Sequence, residues 1–289
     1  MFYHEIKNDV FETHILSNTN KDTFIEVVPE RGGIITSFVV DNKPVFYLDR
    51  STLIDTNKNI RGGNPILFPI CSYLKDNTYY FDDKPYTMKQ HGFARNLSWK
   101  VTDITTSDDS ASIKLILEDN EYTYSQYPFK FKLVFEYILN HNTLTVNSTF
   151  INKDEKPMPF YSGFHPYFYV EDKKRLDIEI PSCNYTEPIE GSIVNSKFAY
   201  DRDEIDVVYK DLKANTCIIK DNSRKMNIAL SFDSIYKYIV VWTLKDRNFI
   251  CVEPWMASTD ALNSKIDLVQ IDSDKELKTT VIFKIQNID

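Results

Sequence analysis

Apolar and polar residues alternate along much of this chain with the period of two that is typical of β-strands. The clearest run has apolar side chains at every second position, namely Phe129, Phe131, Leu133, Phe135 and Tyr137. Because neighbouring side chains of a strand point to opposite faces, this run predicts a strand that is buried on one face. The alternation breaks at 140–142 and resumes from Leu144, so residues 129–151 predict a β-hairpin.

Further strand signals are spread over the chain, whereas helical periodicity is scarce. Strands are predicted within 113–117, 217–220, 226–232 and 279–285. No stretch of twelve or more residues shows an apolar stripe at helical spacing. Many antiparallel strands without helices predict an all-β fold built as a large sandwich. Since no repeat, low-complexity segment or Pro/Ser-rich linker divides the sequence, we expect a single domain over residues 1–289.

The charge balance argues against a nucleic-acid partner. The chain has 34 Lys and Arg against 42 Asp and Glu, which gives a net charge of −8. Nucleic-acid binding usually needs a basic surface, and the short basic run at 173–175 directly follows two acidic residues. An acidic balance of this size mainly favours solubility.

Location signals favour a cytoplasmic protein. The N-terminus lacks the charged and apolar regions of a signal peptide, and the longest apolar stretches, such as 238–242, are too short to span a bilayer. The cysteines, at positions 71, 183, 217 and 251, are widely spaced, as expected for free thiols in a reducing compartment. We therefore expect no membrane partner.

Candidate chemistry comes from two histidines and one carboxylate in unusual local sequences. The chain has seven glycines, and two of them lie within two residues of His91 and His165. His165 and Glu253 each precede a proline, which biases both residues towards extended backbone and removes a donor from the sheet. We expect both side chains at a strand end or at a sharp departure from a sheet. Two imidazoles and a carboxylate in such positions indicate an acid/base site.

Four motifs together resemble those of the aldose 1-epimerase (galactose mutarotase-like) family. They are His-Gly-Phe-Ala-Arg at 91–95, Gly-Phe-His-Pro-Tyr-Phe at 163–168, Val-Glu-Pro-Trp at 252–255 and Ile-Arg-Gly-Gly-Asn-Pro-Ile-Leu-Phe-Pro at 60–69. The subgroup that they resemble is the bacterial LacX-like proteins, which are related to the hexose-6-phosphate 1-epimerases. The resemblance implies a galactose mutarotase-like supersandwich of antiparallel sheets, with the site in a groove on one sheet face.

The resemblance also implies a cofactor-free isomerase that interconverts the anomers of a sugar. Glu253 is expected to take the proton from the C1 hydroxyl, while His165 protonates the ring oxygen as the C1–O5 bond opens. His91 is expected to bind sugar oxygens and to stabilise charge during ring opening. After rotation about the C1–C2 bond, the ring recloses with the roles of acid and base reversed.

Three further residues of the motifs are expected to bind the substrate. Arg61 and Arg95 match family positions that contact the substrate or shape the site, and Arg95 has the alternative of bracing the His91 loop. Trp255 is expected to offer a ring face to the C–H groups of the sugar. The expected partner is a small sugar. We predict no metal site, because two histidines without a nearby third ligand are a poor match for zinc.

Two other functions stay open. A hexose-6-phosphate 1-epimerase could grip its phosphate with Arg61 and Arg95, although the net charge of −8 favours a neutral sugar. A non-catalytic carbohydrate-binding protein on the same fold is the alternative from another class. The complete set of Glu253, His165 and His91 argues against that alternative.

Overall fold

Antiparallel β-strands form most of the computed structural model, which describes residues 1–288. The first strands are β1 (Phe2–Asn8), β2 (Glu12–Asn18), β3 (Phe24–Val28), β4 (Ile34–Val40), β5 (Lys43–Pro44), β6 (Ile66–Leu67), β7 (Thr78–Phe81), β8 (Lys84–Thr87), β9 (Lys100–Thr106), β10 (Ala111–Glu118), β11 (Phe131–Asn140) and β12 (Thr143–Asn152). They are followed by β13 (Met158–Phe160), β14 (Gly163–Phe164), β15 (Tyr167–Tyr169), β16 (Leu176–Glu179), β17 (Asn184–Thr186), β18 (Ile193–Val194), β19 (Lys197–Phe198), β20 (Glu204–Lys210), β21 (Thr216–Asp221), β22 (Met226–Phe232), β23 (Tyr238–Leu244), β24 (Phe249–Trp255), β25 (Val269–Ile271) and β26 (Glu276–Asn287).

Helices are short in the described part of the chain. The α-helices are α1 (Arg50–Ile54), α2 (Glu121–Gln126) and α3 (Ala261–Ser264). Single 3-10 turns lie at Pro29–Arg31, Lys75–Asn77, Ala94–Asn96 and Lys173–Arg175. Within residues 1–288, none of the helices has the length and apolar character needed to cross a membrane.

Three large sheets contain most of the strands. A five-stranded sheet has the order β1-β2-β3-β4-β5, and an eight-stranded sheet has the order β16-β21-β22-β26-β12-β11-β10-β9. The third sheet has the order β17-β20-β23-β24-β14-β6, and β15 also pairs with β24. Neighbouring strands are antiparallel in all three sheets. The predicted all-β fold of antiparallel sheets is therefore confirmed.

The strands that alternation predicted are present in the structure. The predicted hairpin is formed by β11 and β12, in which Phe135 pairs with Ser148. The strands predicted within 113–117, 217–220, 226–232 and 279–285 lie in β10, β21, β22 and β26. Alternation was reliable here because each of these strands buries one face in the main core.

The sheet that contains β14 and β24 separates the core from the face that carries the candidate site. Phe164 in β14 is buried against Phe135 of β11, with ring centroids 6.0 Å apart. His165 follows Phe164 and projects from the opposite face, because side chains of a strand alternate. Val252 and Glu253 in β24 repeat this arrangement, since Val252 is buried in the main hydrophobic cluster. Core packing therefore fixes the backbone on which both candidate catalytic groups are mounted.

The structure corrects one expectation about the residues that precede prolines. His165 lies between β14 and β15, as expected for a residue at a strand end. Glu253 lies inside β24, between two neighbouring strands, so the expectation of a strand end is wrong for this residue. Met256 donates its N–H to Ser162, and Pro254, two residues earlier, directs its nitrogen to the same side. Pro254 therefore faces Phe164, the last residue of β14, and the interruption of the neighbouring strand begins directly after that residue.

Candidate active site

His165 and Glu253, hereafter the acid/base pair, face each other across two neighbouring strands. β14 and β15 keep one register along β24, with the pairs Gly163–Trp255 and Tyr167–Cys251. The intervening position in this register sets His165 opposite Glu253, on the same sheet face. Nε2 of His165 lies 3.3 Å from Oε1 of Glu253. Only 8% of His165 and 1% of Glu253 is exposed, so this contact is shielded from water.

The second carboxylate oxygen of Glu253 is held by Trp255. The indole N–H of Trp255 donates to Oε2 at 3.0 Å, and both side chains are buried. The structure thus brings Trp255 to the site, where its indole edge contacts the carboxylate. Its predicted role as a ring face for the sugar stays a prediction.

Aromatic rings restrict the imidazole of His165. It is stacked on Tyr167, with centroids 4.7 Å apart and an interplanar angle of 12°. His91 and Trp242 present their rings nearly perpendicular to it, at centroid distances of 5.6 and 5.8 Å. Nδ1 of His165 is buried and has no hydrogen-bond partner among residues 1–288. Nε2 is the ring nitrogen that lies near the carboxylate of Glu253.

Burial shifts the pKa values of the acid/base pair in opposite directions. Loss of solvation raises the pKa of Glu253 well above its usual value, and the nearby carboxyl of Asp206 raises it further. Loss of solvation also lowers the pKa of His165 well below 6.5, and His91 and Arg95 add to this effect. These opposite shifts favour a pair that holds one proton, on Glu253 rather than on His165. A reaction in which one group donates a proton while the other abstracts one requires a pair that holds a single proton.

His91 is mounted on a strained turn beside the pair. Its φ is 67°, in the left-handed region, and its N–H donates to the carbonyl of Ser72 at 2.7 Å. Gly92 follows, and a Cβ at that position would lie 2.3 Å from the carbonyl oxygen of Phe68. A side chain is thus excluded at Gly92, which explains why a glycine accompanies this histidine.

The tautomer of His91 follows from its hydrogen bond. Nδ1 lies 2.8 Å from the carbonyl oxygen of Cys71, so it carries the proton and donates it there. Burial, followed by the charge of Arg95, lowers the pKa of His91 to about 3. The ring is therefore neutral at physiological pH, and Nε2 is an acceptor. As a hydrogen-bond acceptor, Nε2 is suited to bind a sugar hydroxyl. It is less suited to the other role expected of His91, which was to stabilise charge during ring opening, where that charge is negative.

Arg61 and Arg95 both lie near the acid/base pair without an ion pair. Within residues 1–288, neither guanidinium forms a salt bridge with a carboxylate. Nη2 of Arg95 donates to the carbonyl of Gln90 at 3.2 Å, while its buried Nε has no partner in the described residues. Arg95 therefore braces the His91 loop and also leaves a donor unused. Burial lowers the pKa of Arg95 to about 10, which leaves the group cationic at neutral pH.

Trp242 is a site residue that the sequence did not single out. Its indole N–H donates to Oε1 of Glu204 at 2.6 Å, and the guanidinium carbon of Arg61 lies 5.3 Å from its ring centroid. A cation–π contact holds Arg61 without using its N–H donors. Those donors and the positive charge therefore stay available to a ligand.

Asp206 is a second residue that sequence reasoning missed. It lies on β20 opposite Trp242 of β23, and burial together with the charge of Glu204 raises its pKa to about 6. Its carboxylate in turn raises the pKa of Glu253. In the sequence, Glu204 and Asp206 alternate with apolar residues, which is the pattern of an ordinary solvent-facing strand. That pattern gave no sign that this face lies beside the acid/base pair.

One set of side chains has the ligand types of a metal site. Ligand atoms of His165, Cys251 and Glu253 lie within 4.8 Å of one another, so Cys251 supplies the third ligand that sequence reasoning did not foresee. Burial raises the pKa of the Cys251 thiol, which keeps it protonated. The cationic side chains of Arg61 and Arg95 also lie nearby. The donor types fit a divalent cation, but this electrostatic environment disfavours one.

Comparison with known proteins identifies relatives over nearly the whole chain. The family model described as aldose 1-epimerase matches residues 15–284. The chain is 25% identical over 251 residues to the chromosomal protein LacX of Lactococcus lactis subsp. lactis, covering 76% of this chain and 81% of the relative. A Cenchrus ciliaris protein, whose name assigns it provisionally to the glucose-6-phosphate 1-epimerases, is 25% identical and covers 77% of this chain and 72% of its own.

Solved structures show the same fold. The Slr1438 protein from Synechocystis sp. PCC 6803 has a TM-score of 0.89 and 31% identity, with 99% of this chain and 96% of that chain covered. A galactose mutarotase-like protein from Clostridium acetobutylicum has a TM-score of 0.84, with 99% of each chain covered. Its identity of 18% supports a likeness of fold alone.

Proposed function

The chain belongs to the aldose 1-epimerase family, and we propose that it interconverts the α and β anomers of a hexose or a related sugar. The observation that carries this proposal is the 3.3 Å contact between Nε2 of His165 and Oε1 of Glu253. A buried donor and acceptor that share one proton supply what ring opening and reclosure require. The activity is that of an isomerase.

Burial favours the form of the pair in which Glu253 carries the proton and His165 is neutral. The proposed reaction begins from the other form, in which that proton has moved to His165 and the carboxylate of Glu253 is free. The carboxylate takes the proton of the C1 hydroxyl, and the electron pair of that O–H bond forms the carbonyl at C1. The C1–O5 bond breaks, its electron pair moves to O5, and O5 takes the proton from Nε2 of the histidine. After rotation about C1–C2, the same transfers run in reverse and close the ring on the other face.

Other residues would bind and orient the sugar. Nε2 of His91 is suited to accept a hydrogen bond from a hydroxyl, because its Nδ1 proton is already donated to Cys71. Arg61 and Arg95 have unused donors for sugar oxygens. The ring faces of Trp242 or Trp255 are suited to the C–H groups of the sugar.

A hexose-6-phosphate is the second candidate substrate. Two guanidinium groups without a carboxylate partner in the described residues favour an anionic ligand, since a bidentate arginine matches phosphate geometry. The similarity to the Cenchrus ciliaris protein supports the same reading. The net charge of −8 favours a neutral sugar, so the local and the overall electrostatics oppose each other.

Proton NMR exchange spectroscopy tests both candidates, because it measures anomer exchange directly at equilibrium. Glucose and galactose are compared with glucose 6-phosphate at matched concentration, in wild type and in Arg61→Ala and Arg95→Ala. We expect exchange to be accelerated for the free hexoses. A preference for the phosphate that disappears in either alanine variant would identify a phosphosugar epimerase. Sugar binding without any acceleration would identify a non-catalytic binding protein.

We further propose that the protein acts in the cytoplasm as a single domain, without a nucleic-acid or membrane partner. The support is the net charge of −8 and the four cysteines, none of which forms a disulfide within residues 1–288. Cell fractionation with an antibody to the chain would test the location.

A further inference from the structure

Gly163 differs from the other glycines of this chain in the reason why a side chain is absent. The chain has seven glycines, and the other six have a positive φ, a backbone conformation that residues with a Cβ rarely adopt. Gly163 does not share that conformation. It lies in β14, where it pairs with Trp255 of β24 on one side and with Leu67 of β6 on the other. Its backbone does not require glycine, so what excludes a side chain here is the surrounding space.

That space is already filled, on the face of the sheet that carries the acid/base pair. Paired residues of neighbouring strands share a face, and so do residues i and i+2 of one strand, so a side chain at position 163 would stand beside Trp255 and on the face of His165. A Cβ at Gly163 would lie 2.8 Å from Cδ1 of Trp255, 2.8 Å from Cβ of Cys71 and 3.0 Å from the carbonyl oxygen of Pro254. Carbon atoms in favourable contact are about 3.5–4.0 Å apart, so even a methyl group does not fit.

Of the three close atoms, only the indole carbon can move aside without a shift of the backbone. Cβ of Cys71 and the carbonyl oxygen of Pro254 are fixed to the main chain, whereas Cδ1 of Trp255 moves when its side chain rotates. The same indole donates from Nε1 to Oε2 of Glu253 at 3.0 Å. Because Cδ1 and Nε1 are bonded neighbours in the ring, a displacement of Cδ1 also displaces the donor. The indole therefore uses the free space at Gly163 when it holds the carboxylate.

We propose that Gly163 is a positioning residue for the base Glu253, because the absence of a side chain at this position lets the indole of Trp255 lie against β14 and donate to Oε2. Gly163 has no side chain with which to bind a sugar, so its effect on the base passes through Trp255. The indole N–H lowers the pKa of Glu253, which favours the free carboxylate from which the proposed reaction begins. This inference rests on the proposed role of Glu253 as the base.

Gly163→Ala is the direct test, and Trp255→Phe shows whether its effect passes through the indole. The added methyl group displaces the indole and removes its hydrogen bond, so we expect kcat for anomer exchange to fall roughly tenfold. Trp255→Phe has already lost that bond, so the double variant should have a kcat less than about twofold below that of Trp255→Phe. A wild-type kcat in Gly163→Ala, or a further tenfold fall in the double variant, overturns the inference.

The indole N–H of Trp255 gives a second readout that needs no turnover. Its proton resonance, assigned by its absence in Trp255→Phe, is shifted downfield in wild type because the group donates to a carboxyl oxygen. We expect Gly163→Ala to move this resonance upfield. Ile228→Ala, at a buried position of β22, is the control for lost stability, and it leaves both the resonance and kcat unchanged. An unmoved resonance in folded Gly163→Ala overturns the inference.

A third measurement uses the wild-type protein and does not depend on how the variants fold. The close approach of the indole to Gly163 predicts a nuclear Overhauser effect between the α protons of Gly163 and the proton on Cδ1 of Trp255. Its absence overturns the inference. Absence of anomer exchange in wild type would instead reject the proposed function. Because the two NMR readouts report on the indole without turnover, the two failures are distinguishable.

Discussion

Trp255 reaches the carboxylate of Glu253 from a position two residues further along the same strand, with 3.0 Å between Nε1 and Oε2. Residues i and i+2 of a strand share a face, so the local sequence Glu-Pro-Trp places both side chains on one face of β24. One carboxylate oxygen is fixed by the indole, and the other is left facing His165. The orientation of the proposed base therefore depends on a neighbour that takes no part in proton transfer.

Trp255→Phe removes that donor while keeping an aromatic ring in place. A hydrogen bond to a charged group contributes about 1.5–3 kcal/mol, so we expect kcat for anomer exchange to fall roughly tenfold or more. The indole N–H also lowers the pKa of Glu253, so the variant raises this pKa further. NMR exchange at several pH values measures both effects. An unchanged kcat would show that the indole does not orient the base.

Glu253→Gln keeps the shape of the side chain and removes the base. We expect the fold and sugar binding to survive and anomer exchange to fall by about a hundredfold or more, since positioned proton transfer typically contributes about 10²–10⁴. Glu179→Gln, an exposed carboxylate on β16, is the matched control and keeps the full rate. Exchange at the wild-type rate in Glu253→Gln would remove this residue from the mechanism.

The same substitution is expected to stabilise the fold at neutral and alkaline pH. The pKa of Glu253 is raised above its usual 4.5, so the folded state binds a proton that the unfolded state has released. The stabilising contribution of wild-type Glu253 is therefore present below pH 4.5 and is lost as pH rises. Urea denaturation of wild type and Glu253→Gln at pH 4.5 and pH 8 measures this difference. The variant should gain relative to wild type at pH 8, and a gain confined to pH 4.5 would contradict the raised pKa.

His91 is expected to contribute to acid sensitivity. Its pKa is about 3 in the folded state, compared with 6.5 for an unperturbed histidine. The stability that it contributes is therefore present above pH 6.5 and is lost as pH falls towards 3. In His91→Gln the free energy of unfolding should depend less steeply on pH in this window, by up to about 1.4 kcal/mol per pH unit. The exposed residue His141 provides the control substitution, and equal slopes in His91→Gln and wild type would contradict the prediction.

Asp206→Asn should change the pH profile of the reaction. After burial, the carboxylate of Asp206 is the next cause that raises the pKa of Glu253. Without that charge the acid/base pair loses its shared proton at a lower pH, so the alkaline limb of kcat/KM should move downwards. Glu204→Gln is a matched control, since it removes a charge beside Asp206 but keeps an acceptor for Trp242. A limb that does not move would show that Asp206 and Glu253 are electrostatically independent.

Predictions from the sequence were most reliable where a single physical requirement determined which residues could occupy a position. Strands such as β11 alternate because one face must be buried, and the turn at Gly92 is marked because a side chain there would meet the carbonyl of Phe68. Trp242 and Asp206 lacked such a signal. Their place in the site depends on which strands become neighbours in the sheet, and alternation along one strand carries no information about that.

The position of Glu253 was mispredicted for a related reason. A proline after a residue usually marks the end of a strand, because the ladder loses a donor. Here the neighbouring strand carries its own proline after His165, so the missing donors coincide at one point of the ladder. Only the pairing of the two strands reveals this coincidence.

The shared proton of His165 and Glu253 has a consequence for how the catalyst returns to its starting state. In the proposed reaction the carboxylate gains one proton and the imidazole loses one during ring opening, and reclosure restores both. No proton has to arrive from bulk water, and no step is needed to regenerate the enzyme between turnovers. The site is therefore ready for the next sugar as soon as the ring closes, whichever anomer has formed.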